Sequence, residues 1–148
     1  MSTIIETLEE ATDNAGFKGL SFANLQEFNA FHDSFNFLDY PRNIIIPYAL
    51  TGQIIENRKK KVIQLQGWAL TRIKEDTNDW RSIKLEDKYI QPLRVMTEKF
   101  IVAIVNSDLT DPEVTNVAYT IRPEYMLLNS HLFGVSYTLN WPIKGNLC

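Results

Sequence analysis

Residues 43–73 are the part of this sequence that most constrains its fold. Two apolar segments rich in β-branched and aromatic residues, 44–55 and 62–73, lie on either side of the basic segment Arg58–Lys61. Such segments favour strands, and the short polar link between them predicts a long antiparallel β-hairpin. Pro47 cannot donate a hydrogen bond to a sheet, so we expect the outgoing strand to lie at an edge or to be bulged there.

The return strand of this hairpin carries apolar side chains on both of its faces. Alternation places Ile63, Leu65, Ala69 and Ile73 on one face and Val62, Trp68 and Leu70 on the other. A strand with two apolar faces is typical of a central position, covered at least in part on both sides. Gly52 and Gly67 are predicted to mark bulges that bend the hairpin.

Two segments have the spacing of amphipathic helices. Residues 2–14 follow a capping-box pattern, with Glu6 three residues after Thr3, and residues 83–106 carry a broad apolar stripe. Pro92 predicts a kink or a second helix start within the longer segment. The apolar face of the first helix is predicted to consist of Ile4, Ile5, Leu8 and Ala11, with Ala15 beyond.

The remaining elements are a short strand near 20–28 and two late strands. Residues 117–122 alternate, and residues 133–141 alternate most clearly, with Phe133, Val135, Tyr137, Leu139 and Trp141 on one face. The aromatic segment 17–41 is predicted to be a loop anchored in the core, with a partner-binding surface as the alternative. Together these elements predict one α+β domain, residues 1–148. Its mostly antiparallel sheet has a long β-hairpin, an N-terminal helix and one long helix packed on the sheet.

No residue cluster indicates catalysis, a metal site or a cofactor. His32 and His131 are far apart and have no second ligand at helical or strand spacing, and Cys148 is the only cysteine. No glycine-rich phosphate loop or nucleophile elbow occurs. The prediction is therefore a protein that is not an enzyme. The acidic residues near the N-terminus do not suit a signal peptide, no apolar segment has the length of a membrane helix, and we expect no membrane contact.

Charge is distributed unevenly along the chain. Residues 1–41 contain seven acidic residues and one lysine, whereas residues 42–73 contain six basic residues and one acidic residue. Opposite charges on separate parts of a domain suit self-association, and compensation within one molecule is the alternative. Three roles stay open for Arg58–Lys61: a solvated hairpin end, docking onto an acidic protein surface such as another copy's helix, and weak, non-specific contact with DNA phosphates.

The order of these elements resembles that of tail terminator and tail-completion proteins of tailed bacteriophages, which cap the tail tube or join it to the head. The resemblance rests on the acidic N-terminal helix, the hairpin with its polar end and the late strand pair. It also includes three segments: DYPRNIIIP at 39–47, IQPLRVMTEKFIVAI at 90–104 and FGVSYTLNWPIKGNLC at 133–148.

The resemblance implies a structural virion protein, assembled in the host cytoplasm as a homo-oligomeric ring of six copies. Its partners would be further copies of itself and a tail-tube or head-completion protein, with at most passing, non-specific contact with DNA. It implies no catalytic residues. The interface residues expected on this basis are Arg58, Lys59, Lys60 and Lys61 of the hairpin and Glu6, Glu9 and Glu10 of the first helix.

Two other kinds of function remain open. One is a small α+β ligand-binding domain or enzyme with a pocket between the sheet and helix 83–106, lined by Trp68, Tyr119, Tyr137 and Trp141. The other is a host-derived adaptor or immunity-type binding protein that shares the interaction surface without forming a ring.

Overall fold

The computed structural model describes residues 3–24, 27, 39–72, 86–127 and 132–146. These residues form an α+β fold, as predicted, in which helices pack on a mostly antiparallel sheet. The elements in chain order are α1 (Ile4–Asn14), β1 (Gly19–Phe22), β2 (Arg42–Ile45), β3 (Ala49–Ile55), β4 (Arg58–Arg72), a π-helical turn (Glu86–Ile90), α2 (Gln91–Val105), β5 (Tyr119–Leu127) and β6 (Leu132–Ile143).

The predicted hairpin is present, but its turn is not made by the basic segment. Strands β3 and β4 pair antiparallel from Ala49↔Gln64 to Ile55↔Arg58. The two linking residues, Glu56 and Asn57, have φ values of 49° and 65°, as in the type I′ turn that suits the twist of a hairpin. Arg58–Lys61 are therefore the first four residues of β4, where their side chains alternate between the two faces of the sheet.

The first half of the hairpin is interrupted at Pro47, as predicted. Ile45 pairs with Gly67 and Ala49 pairs with Gln64, so three residues, 46–48, lie opposite the two residues 65–66. This bulge divides the outgoing strand into β2 and β3. The predicted bulges at Gly52 and Gly67 are wrong, because both glycines lie in continuous register with their partner strands.

Strand β4 is central, as its two apolar faces predicted. It pairs with β2 and β3 on one side and with β6 on the other, and the sheet continues from β2 to β1 and from β6 to β5. The β4–β6 pairing runs over twelve residues, from Lys61↔Ile143 to Arg72↔Leu132. Only the β1–β2 pair is parallel among the strands that the structure describes.

Both helices pack together on one face of the sheet. Thr3 caps α1 by accepting a hydrogen bond from the Glu6 amide at 3.1 Å, as the capping-box pattern predicted. Leu8, Ala11 and Ala15 are buried, as predicted. The assignment of Ile5 to this apolar face is wrong: its position on the helix turns it away from the core and leaves it 40% exposed.

The predicted long helix is present, and its described part begins with a π-helical turn. Glu86–Ile90 form the π-helical turn, and α2 begins at Gln91 with Pro92 in its first turn. Proline is tolerated there because the first amides of a helix have no partner within it, so the predicted second start is confirmed. Residues 83–85 lie outside the described residues.

Buried apolar side chains lie on both faces of the central strand, in a large cluster on one face and a small cluster on the other. On the helix-covered face, Ile63, Leu65 and Ala69 of β4 pack with the apolar side of β6 and with α1 and α2. On the opposite face a smaller cluster consists of Ala23, Tyr40, Ile44, Leu70 and Leu132, with Trp68 against it. The predicted alternation in 133–141 is confirmed, since Phe133, Val135, Tyr137, Leu139 and Trp141 are all buried.

Candidate interaction surface

The turn end of the β3–β4 hairpin extends beyond the part of β4 that pairs with β6. Pairing with β6 begins at Lys61, so Arg58, Lys59 and Lys60 have β3 as their strand partner. All seven residues of β3 are exposed, among them Leu50, Ile54 and Ile55 at 50%, 75% and 45%. Burying such side chains against a partner is favourable, so this hairpin is a candidate contact surface.

The register assigns the hairpin side chains to two surfaces. Leu50 faces the same side as its partner Ile63, which belongs to the helix-covered core, and Ile54 and Lys59 follow on that side. We call this side, made of Leu50, Ile54, Lys59 and Lys61, the basic hairpin face. Arg58 and Lys60 point to the opposite side of the sheet.

The cations on that opposite side are paired within the chain. The Nζ atom of Lys60 lies 2.6 Å from Glu113 Oε2 and 3.6 Å from Asp111 Oδ2, and Arg58 Nη1 lies 3.8 Å from Glu113 Oε1. The hydrogen bond that Lys60 donates to Glu113, with further attraction from Asp111, raises the pKa of Lys60 above its ordinary value. Arg58 and Lys60 therefore have acidic partners in the segment after α2, outside the acidic N-terminal part of the chain.

The three acidic residues predicted as interface residues lie on the solvent side of α1. Glu6, Glu9 and Glu10 are exposed, whereas Thr7, Leu8, Ala11 and Thr12 form the buried side of the helix. Asp13 is exposed beside them. These four carboxylates span about 100° of the helix circumference, and we call them the acidic face of α1. Sequence reasoning left out Asp13, although its spacing from Glu6, Glu9 and Glu10 places it on this face.

A buried chain of hydrogen bonds links α1 to the centre of the sheet. Tyr137 Oη donates to Asn43 Oδ1 at 2.5 Å, Asn43 Nδ2 donates to Thr12 Oγ1 at 3.2 Å, and Thr12 Oγ1 donates to the Leu8 carbonyl at 2.7 Å. Asn43, Thr12 and Tyr137 are all buried. Sequence reasoning missed this network, whose one signal is a lone asparagine ahead of three isoleucines.

The basic hairpin face and the acidic face of α1 are apart in one molecule. Thr12 of α1 bonds to Asn43, which pairs with Ala69, ten residues along β4 from Lys59. At about 3.3 Å per residue, this is a separation of about 33 Å along the strand. The first turn of α1 lies about 12 Å from Thr12, so the register places it on the order of 20 Å from Lys59.

The network gives a prediction for alkaline unfolding. Burial raises the pKa of Tyr137 above its ordinary value. Because the folded pKa is the higher one, the stability from this phenol is complete below about pH 10 and is lost as the pH rises. We expect this group to lower the free energy of unfolding by about 1.4 kcal/mol per pH unit above that point.

Urea unfolding at several alkaline pH values measures this slope, and Tyr137→Phe serves as the comparison. The variant should show a shallower fall in the free energy of unfolding as the pH increases. Equal slopes in the two proteins would contradict the assignment to Tyr137.

The four aromatic residues predicted to line a pocket do not meet around one cavity. Tyr137 and Trp141 are buried in the helix-side core, where Trp141 Nε1 donates to Thr110 Oγ1 at 2.8 Å. Trp68 lies on the other face of the sheet, and Tyr119 is exposed with its hydroxyl on Glu98. A groove of about 270 Å³ does lie between α1 and the end of α2, but none of these four side chains lines it.

Other sequence-based expectations concern metals and membranes. Within the described ranges, no three His, Cys, Asp or Glu side chains are grouped so that they could hold a metal ion. His32, His131, Cys148 and most of the aromatic segment 17–41 lie outside those ranges. None of the described helices is both long and apolar enough to cross a membrane.

Comparison with known proteins adds no relative on which a family assignment can rest. No protein-family model matches this sequence, and no curated protein matches it significantly.

Proposed function

We propose that this chain is a structural virion protein of a tailed bacteriophage, forming an oligomeric ring that terminates the tail tube or joins the tail to the head. The observation that carries the proposal is the β3–β4 hairpin, whose edge strand is uncharged and whose apolar side chains are exposed. The order of elements in the described residues is also the order on which the resemblance to tail terminator and tail-completion proteins rests.

Three of the described strands, β1, β3 and β5, lie at edges of the sheet. Three of the four residues of β1 are half-buried, so the physical argument for a ring compares the exposed strand β3 with β5. Strand β5 has the features that protect a sheet edge: Pro123, which cannot donate, the charged residues Arg122 and Glu124, and an irregular register near its end. Strand β3 has no proline and no charge over its seven residues. An unprotected edge promotes association, and a contact between two different patches buries it in every copy when the ring closes.

The proposal specifies location and partners. The ring forms in the host cytoplasm and remains in the virion, where further copies of the chain and a tail-tube or head-completion protein are its partners. Arg58, Lys59, Lys60, Lys61, Glu6, Glu9 and Glu10 are the proposed interface residues. DNA makes only passing, non-specific contact, since Arg58 and Lys60 already have carboxylate partners.

Size-exclusion chromatography with light scattering, followed by negative-stain electron microscopy, tests the proposal on the whole chain. We expect a single oligomer of defined mass and ring-shaped particles of uniform diameter. A protein that remains monomeric at high micromolar concentration would contradict it. The ligand-binding alternative stays a prediction that the separation of Trp68, Tyr119, Tyr137 and Trp141 does not support.

A further inference from the structure

We infer that the basic hairpin face of one copy binds the acidic face of α1 in a second copy. This inference rests on the self-association proposed above and specifies which surfaces meet. Three observations support it: the chemistry of the two faces, their separation within one molecule, and the repulsion between acidic residues of α1, which a cationic partner would offset.

The basic hairpin face combines exposed apolar area with positive charge. Ile54 is the most exposed of the large apolar side chains that the structure describes, and its strand partner is Lys59, which is also exposed. Leu50 extends the apolar surface on the same side, and Lys61 adds a second cation next to Gly52. The surface that fits it carries carboxylates together with some apolar area.

The acidic face of α1 has this composition. Its four carboxylates are exposed, and Ile5 at the border of the face provides apolar area. Carboxylates of Glu residues and ammonium groups of Lys residues reach across a contact with long, flexible stems, and these stems pack on neighbouring apolar side chains. Contact between Ile54 and Ile5, with Lys59 and Lys61 near the carboxylates, brings apolar area against apolar area and positive charge against negative charge.

The acidic face is unfavourable for α1 in isolation. Glu6 with Glu10 and Glu9 with Asp13 are like charges four residues apart, an arrangement that destabilises a helix. Asp13 also lies in the last turn, where the helix dipole disfavours a negative charge, and no basic residue occupies that turn. Glu6 lies in the first turn, where the helix dipole favours a negative charge, so helix stability accounts for this residue. It does not account for Glu9, Glu10 and Asp13, whereas a cationic partner does.

Geometry favours a second molecule as the partner. The register of β4 and the bond between Thr12 and Asn43 place Lys59 on the order of 20 Å from α1 within one copy. The contact joins two different surfaces, so each copy uses its hairpin on one neighbour and its helix on the other. Such a contact generates a closed ring or an open filament.

A charge exchange tests the contact directly. We expect K59E/K61E and E9K/D13K each to weaken self-association at least about tenfold, because each places like charges on the two faces. Mixing the two variants should restore assembly in alternating copies, and the fourfold variant that carries all these changes should assemble alone. K99E is the control, because it reverses the charge of an exposed lysine on α2 that belongs to neither face, and it should assemble like the wild type.

The measurements are light scattering over a concentration series, at low and high salt, with circular dichroism to verify folding. Assembly should weaken as salt increases, because exposed ion pairs are screened. A wild-type protein that is monomeric throughout overturns both this inference and the proposed ring. If the wild type assembles and the variants assemble equally well, this contact alone is overturned. The same holds if the variants lose assembly and mixing them does not restore it.

Discussion

Replacing Gly134 by alanine is expected to destabilise the protein by about 3 kcal/mol or more, the largest effect of any single methyl group added here. Gly134 pairs with Leu70 at the centre of the sheet. A Cβ atom at this position would lie 2.0 Å from the Ala69 carbonyl oxygen and 2.9 Å from a Leu70 methyl group. The first of these is backbone in the central strand, so relief of the clash requires β4 and β6 to separate.

Gly52→Ala is the matched control, because it adds the same methyl group to a strand of the same sheet. At Gly52 the nearest atom to an added Cβ is the Lys60 carbonyl oxygen at 3.9 Å, an ordinary contact. We expect a change within about 1 kcal/mol, with stabilisation favoured by the smaller entropy of the unfolded chain. Urea unfolding followed by circular dichroism measures both variants, and similar midpoints for G134A and the wild type would contradict the close approach.

Replacing Asn43 by alanine is expected to lower the free energy of unfolding by about 2–3 kcal/mol. The change removes the acceptor for Tyr137 and the donor to Thr12, and it leaves the Tyr137 hydroxyl buried without its partner. In the unfolded chain water solvates this hydroxyl, whereas in the folded variant it is buried with no hydrogen bond. The variant therefore loses more free energy of unfolding than it would by losing a solvent-exposed hydrogen bond.

A double-mutant cycle with Tyr137→Phe separates this cost from the loss of packing. Phenylalanine preserves the ring and removes the hydroxyl, so N43A/Y137F no longer contains a stranded phenol. We therefore expect the double variant to be destabilised by less than the sum of the two single variants, by about 1 kcal/mol or more. Additive effects in urea unfolding would show that the two side chains contribute independently.

The sequence contains enough information to predict the hairpin, the central strand and the clearest alternation. Ile63, Leu65 and Ala69 alternate with Trp68 and Leu70, and a period of two determines which face each side chain occupies. Pro47 and Pro92 were informative for a different reason. Each lacks an amide hydrogen, so the bulge and the helix start at those positions follow from local chemistry.

Features that depend on contacts distant in sequence were not predictable in the same way. The sequence predicts a bulge at Gly67, whereas the structure shows a close approach there: an added Cβ would lie 2.6 Å from the Tyr137 hydroxyl, seventy residues later. The same tyrosine donates a hydrogen bond to Asn43, and nothing in the sequence around either residue indicates this pairing. Ile5 shows a different limit, because spacing alone did not separate the centre of an apolar face from its border.

The sequence predicts the surroundings of the acidic interface residues better than those of the basic ones. The exposure of Glu6, Glu9 and Glu10 follows from helical periodicity, since the buried side of α1 includes Leu8 and Ala11. The roles of the hairpin cations required the turn to be placed. With Glu56 and Asn57 as the turn, alternation assigns Lys60 to Asp111 and Glu113, and leaves Lys59 on the opposite side.

The pairing of β4 with two strands at very different sequence distances has a consequence for folding order. The paired residues of β3 and β4 are between three and fifteen positions apart in sequence, whereas Lys61 and Ile143 are more than eighty residues apart. Closing a longer loop costs more chain entropy and is slower, so we expect the hairpin to form early and the β4–β6 ladder to limit the folding rate. A folding chain would then expose the unpaired side of β4 until β6 joins, and an unpaired strand promotes aggregation. We therefore expect refolding at low protein concentration to give more native protein.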